Sequence, residues 1–90
     1  MKVRFRNYGD YSSDNYGAHT LCFTDAQGNE FYYSYKTLIA FETRNTGLVI
    51  QKNVWGPTTG KHLNWIDGGR EEDRVDSESF SKKYKEAFGE

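Results

Sequence analysis

Thr58, Thr59, Gly60, Lys61 and His62 stand together in the segment WGPTTGKHLN, residues 55–64, and are residue types that can hold an anion. Backbone N–H groups at a helix start carry a partial positive charge, and Lys61 adds a full one. A phosphate-binding loop of the Walker A kind reads G-x-x-x-x-G-K-[ST]. Here Gly56 and Gly60 enclose only Pro57, Thr58 and Thr59, and His62 follows Lys61 where a Mg²⁺-binding hydroxyl is needed. That spacing excludes a standard Walker A loop. Helix capping accounts for the same residue types: Thr58 or Thr59 caps a short helix, Gly56-Pro57 turns into it, and Leu63, Trp65 or Ile66 enters the core.

Other reactive types are sparse. His19 and Cys22 lie close in sequence, but structural zinc takes four ligands, usually as two clustered pairs, and His62 is the only other imidazole. Cys22 as a nucleophile needs a neighbouring base such as His62. Strand alternation gives no reason to bring the two together, so Cys22 reads as a small strand residue. Glu71, Glu72, Asp73 and Asp76 form an acidic run bracketed by Arg70 and Arg74. It lacks the alternating ligands, central Gly and terminal Glu of a calcium loop and reads as a solvated loop. Nothing assembles a reaction centre, so the expectation is a non-catalytic protein with no cofactor and no metal.

Aromatic residues are the anomaly: seven Tyr, six Phe and two Trp make up 17% of the ninety residues. Some fill the core of so small a domain, but not every tyrosine hydroxyl can be buried and paired. Exposed Tyr suits base stacking or a protein interface equally. Tyr8, Tyr11 and Tyr16 are therefore candidate partner-binding residues, together with Lys2, Arg4 and Arg6, a basic stripe on one strand face.

The elements that must position these groups are legible in outline. In residues 2–8 Val3 and Phe5 alternate with Lys2, Arg4 and Arg6, the period of a half-buried strand. Residues 9–17 form a polar loop. Residues 19–24 set Leu21 and Phe23 on one face against Thr20, Cys22 and Thr24, and residues 25–29 turn into a strand over 30–35. Residues 38–43 and 48–55 form a second hairpin, with Leu38 to Phe41 apolar on both faces, as in a central strand. After the helix over 58–66, closed by Gly68-Gly69, Asp76 or Ser77 caps a last helix over 77–88. Phe80, Tyr84, Ala87 and Phe88 share one stripe there, while Lys82, Lys83, Lys85 and Glu86 face away. The prediction is one α+β domain over 1–90: strands over 1–55, about five of them, mostly antiparallel, with the last helix packed on the sheet.

Composition narrows the function classes. A formal charge of −1 gives no global pull toward nucleic acid or anionic membrane. The single cysteine fits a reducing compartment. The first residues hold no apolar signal core, and no run is long enough to span a membrane, so the expected location is the cytoplasm.

The matching residues Tyr33, Ser34, Tyr35, Thr37, Leu38, Ile39, Ala40, Asn53, Trp55, Thr58 to Asn64 and Ile66 carry a resemblance. Over about residues 31–80 the chain resembles a group of small proteins encoded by bacteriophages and related mobile elements of Gram-positive bacteria. These carry a Y-S-Y-x-T-L-[IV]-A strand followed by N-x-W-[GS]-x-T-T-G-K-H-L-N-x-I. The group brings no activity to carry over. The resemblance implies a phage origin and action inside a bacterial cell. Two function classes follow. The favoured one is a protein that binds and inhibits a host bacterial protein, as anti-defence inhibitors of anti-CRISPR size do. The alternative is a nucleic-acid-binding accessory of phage replication or regulation. The partner's identity and the oligomeric state are open.

Overall fold

A computed structural model describes residues 4–9 and 20–89. Five strands form one antiparallel sheet in sequence order: β1 (Arg4–Asn7), β2 (Leu21–Thr24), β3 (Glu30–Ser34), β4 (Thr37–Thr43) and β5 (Gly47–Ile50). Two helices follow, α1 (Pro57–Asp67) and α2 (Ser77–Phe88), with a short 3-10 turn at Glu71–Asp73 between them. The predicted α+β class with a C-terminal helix on the sheet is what is seen.

Local chemistry explains the hairpins. The Asp25 carboxylate accepts from the backbone N–H of Gln27 and of Asn29, each at 2.9 Å, which rigidifies the β2–β3 turn. Gly28 supplies the positive φ of 88° that this turn requires. In the β4–β5 turn the Thr43 hydroxyl accepts from the Thr46 N–H at 2.9 Å.

The pairing of β3 with β4 slips between Tyr32↔Ala40 and Tyr33↔Leu38, leaving Ile39 as an extra residue in β4. This bulge sends Ile39 and Ala40 to the same side, and the Ile39 carbonyl accepts from the Gln51 N–H at 3.0 Å. Leu38 and Phe41 fall on the other side. The run that reads as apolar on both faces is indeed covered on both, because a helix packs on each.

On the α1 side Leu63 and Ile66 pack with Cys22, Tyr32, Ile39, Ala40 and Ile50. On the α2 side Phe80, Tyr84 and Phe88 pack with Phe31, Phe41 and Val49. Phe41 is fully buried, with ring centroids 5.4 Å from Phe80, 5.5 Å from Tyr84 and 5.6 Å from Phe88. Asp76 is the cap of α2, accepting from the Ser79 N–H at 2.8 Å, as expected. Ala87 stands at the margin of the predicted stripe and is exposed.

Other expectations are corrected. The last strand ends at Ile50 rather than near residue 55. Gln51 instead makes an isolated parallel bridge to Val75, closed by Lys52 N–H to Val75 O at 2.7 Å and Val75 N–H to Ile50 O at 2.9 Å. Tyr35 leaves the β3 strand and takes a left-handed φ of 58° in the turn to β4. The two faces predicted for residues 19–24, by contrast, are both present: Thr20, Cys22 and Thr24 are buried, and Leu21 and Phe23 on the other face are half-buried.

Candidate functional site

α1 starts two or three residues earlier than a cap at Thr58 or Thr59 would allow. Gly56 is its cap residue and Pro57 its first helical residue, where a missing N–H costs nothing. Neither threonine caps. Asn53 instead shapes the entry: its side-chain oxygen accepts from Trp55 N–H at 3.0 Å and Gly56 N–H at 3.2 Å, and its amide donates to Gly56 O at 2.9 Å. A Cβ on Gly60 would meet that amide nitrogen at 2.9 Å, so the side chain of Asn53 lies against the first turn. The Gly68 end is as predicted, left-handed with its N–H on Asn64 O at 2.8 Å.

The five candidate anion residues diverge around this helix. Thr58 and Lys61 are exposed, Lys61 with its ammonium 5.9 Å from the Trp65 ring centroid. Gly60 sits under Asn53. Thr59 bonds the Ser34 hydroxyl at 3.2 Å, and His62 turns fully inward. At 100° per residue a helix cannot aim all five at one point. We accordingly expect isothermal titration of Mg²⁺–ATP into the protein to give no saturable heat. Micromolar binding lost in Lys61→Ala would contradict this.

Inside the α1–sheet layer the Ser34 Oγ lies 2.7 Å from His62 Nδ1. A hydroxyl and an imidazole so placed have the geometry of a nucleophile and its base. Here they are 3% and 0% exposed, and His62 is stacked on Trp65 at 5.7 Å. The pair joins α1 to β3 within the interior. Cys22 is also fully buried, and burial pushes its thiol up from the ordinary range.

The charged run 70–74 divides. Glu71, Glu72 and Asp73 are exposed, as a solvated loop requires. Arg74 is not: it donates from Nε to Asp67 Oδ2 at 2.8 Å, and from Nη2 to Asp67 Oδ1 and Asn64 Oδ1, both at 2.9 Å. Both side chains of this pair are only 5% exposed. Burial pushes the Asp67 carboxyl up, but the Arg74 hydrogen bonds and charge, with the Gly69 and Arg70 backbone N–H groups, outweigh it and leave the group below its usual range.

The partner-binding candidates also separate. Lys2, Tyr11 and Tyr16 lie outside the described residues, as does His19. Tyr8 is half-buried and packs on the α1-side core, with its hydroxyl donating to Tyr33 O at 2.8 Å and its ring 5.4 Å from that of Tyr32. Arg6 lies over the Tyr32 ring and reaches Glu30 at 3.6 Å, while Arg4 is exposed.

A different surface brings aromatics together. On the α2 side of the sheet the helix covers β3, β4 and β5, but not Phe5 and Phe23. Phe5 is 67% exposed, and its ring centroid is 5.0 Å from Phe23, which lies 5.9 Å from Phe31 and so continues into the core. Phe5, Leu21, Phe23, Tyr33, Tyr35 and Lys36 line a shallow groove of about 410 Å³. A second, of about 420 Å³, lies along α2 between Leu38, Phe80, Ser81, Tyr84 and Lys85. The two meet at the Tyr33↔Leu38 cross-strand pair. Apart from the strand alternation that puts Phe5 on one face of residues 2–8 and Leu21 with Phe23 on one face of residues 19–24, no feature of the sequence marks this strip. Its signal is that β1, β2 and β3 put more apolar residues on one face than a single twelve-residue helix can cover.

Among the described residues no group of three or more His, Cys, Asp or Glu could hold a metal, and no helix is long and apolar enough to cross a membrane. No curated protein and no solved structure matches the chain. Residues 3–83 match a family described as a family of unknown function, and over nearly its whole length the chain therefore belongs to that family, DUF8033.

Proposed function

We propose that this protein is a non-catalytic binding protein, encoded by a phage or mobile element, that occupies and blocks a bacterial host protein in the cytoplasm. The observation that carries the reading is the exposed Phe5 ring, which with half-buried Phe23 borders an apolar groove. A small domain that leaves Phe5 at 67% exposure beside an apolar groove presents the kind of aromatic anchor that dominates protein interfaces. The phage origin rests on the motif resemblance over residues 31–80.

Tyr35 adds to this. A left-handed φ costs a non-glycine residue roughly 1–2 kcal/mol, which the packing of its ring 5.8 Å from that of His62 helps to offset. Tyr35→Gly removes that strain and that packing together, so the melting temperature should change little while partner binding weakens through the lost groove wall. A clear drop in melting temperature would show that Tyr35 serves the fold instead.

The test is capture from a lysate of the bacterial host by the protein and by Phe5→Glu, a surface change that leaves the core intact. A single host protein retained by the parent chain, inhibited by it, and held at least ~30-fold more weakly by Phe5→Glu is the expected result, the size of an interface hot spot. Tight binding to an oligonucleotide would overturn the reading. It would be steeply salt-dependent, losing about 0.7–0.9 in log K per phosphate contact for each decade of salt, and it would survive Phe5→Glu but not Arg4→Ala with Arg6→Ala.

A further inference from the structure

We infer that the strip beside α2 docks an amphipathic helix of the partner protein whose apolar stripe is flanked by Asp or Glu, an inference that rests on the protein-binding reading above. The uncovered part of the face spans β1 and β2. Phe5 is exposed there and Leu21 and Phe23 are half-buried, and since strands lie about 4.8 Å apart, the two-strand strip is about 10 Å wide. That width matches the 8–10 Å at which two helices pack side by side. The wall facing it from α2 contains Ser81, a small residue that allows close approach, beside Phe80 and Tyr84. An incoming helix would complete the layer that α2 begins.

Charge selects the partner. Among the described residues each groove is lined by one charged side chain, Lys36 in the first and Lys85 in the second, and by no carboxylate. Both lysines are exposed and stand at the rim. Opposite charge at a rim steers association and discriminates between partners more than it adds affinity. A second copy of this chain is disfavoured by the same argument. Its own exposed helical face carries Lys82, Lys83 and Lys85 against Glu78 and Glu86, a net positive flank that would meet Lys36 and Lys85 as like charges.

The experiment uses two synthetic helical peptides of about four turns, with the same leucine stripe at i, i+3, i+4 and i+7. One is flanked by Glu and the other by Lys. Fluorescence anisotropy should show the Glu peptide binding about tenfold or more tightly at low salt, as two rim ion pairs allow, with the preference shrinking as salt rises. Phe5→Glu should abolish binding, and Lys36→Glu with Lys85→Glu should reverse the preference. Equal or stronger binding of the Lys peptide, binding by neither, or binding that survives Phe5→Glu would overturn the inference. So would a concentration-dependent dimer in sedimentation that Phe5→Glu dissolves. If the peptides fail while Phe5-dependent capture of a host protein persists, the helical acidic ligand is wrong and the protein-binding reading stands.

Discussion

Ending the chain at Ser79 should abolish the cooperative thermal transition. The change removes Phe80, Tyr84 and Phe88, the residues through which α2 reaches the sheet, and bares Phe31, Phe41 and Val49 on the other side of the contact. Three large rings at roughly 1.5–3 kcal/mol each come to about 4.5–9 kcal/mol, before counting what Phe41 loses. A domain of this size has about 5–15 kcal/mol in all. The single change Phe80→Ala should cost ~3–5 kcal/mol, since its ring is nearly buried and lies 5.4 Å from Phe41. Calorimetry on the shortened chain should give a broad, weak transition, and Phe80→Ala a single one at lower temperature. A near-native melt from the shortened chain would mean that the α1-side layer is sufficient by itself.

Most of the scaffold is legible because it is written in local chemistry. The turn at Gly28, the cap at Asp76 and the Phe80–Tyr84–Phe88 stripe each need only neighbours within a few residues. What escapes is set by pairing across distance. The bulge at Ile39 arises from how β3 meets β4, and no local pattern in TLIAFET marks which residue is extra. The shifted start of α1 was recoverable in part, because Pro57 is a better first helical residue than a mid-turn one.

The candidate site was less legible than the fold, for a related reason. The expected anion residues are neighbours in sequence, and a helix distributes neighbours around its axis. Thr59 and His62, three apart, share the inward face and meet Ser34, while Lys61 points elsewhere. The ring strip has the opposite character. Phe5, Phe23 and Tyr33 are far apart in sequence and meet only because β1, β2 and β3 are adjacent and antiparallel. Alternation marks such residues as inward-facing. Whether a helix reaches far enough to cover them depends on the width of the sheet.

Arg74 shows the same limit, and its loss should rank beside the truncation in effect. In the run REEDR it reads as one more solvated charge, yet it reaches back across the Gly68-Gly69 turn to Asp67 and Asn64. Arg74→Met should destabilise the protein by ~3–5 kcal/mol, because it leaves the Asp67 carboxylate buried without its cation. Adding Asp67→Leu to Arg74→Met should recover most of that loss, since replacing both members of a buried pair by apolar groups is often neutral or better. Acid separates the three proteins. With Arg74 present the Asp67 carboxyl is held below its usual range, so its contribution is full above the ordinary carboxylate pKa and is lost as pH falls through the lower folded value. In Arg74→Met the carboxyl keeps the Gly69 N–H at 2.9 Å but loses its cation, so burial weighs more and its pKa moves up from the parent's. Relative to the double variant, the parent should lose melting temperature on going from about pH 7 to below about pH 4, and Arg74→Met should lose less of it. A single variant that follows the double variant at every pH would mean that water reaches Asp67 and that the pair contributes little to the junction of α1 with the Gln51–Val75 bridge.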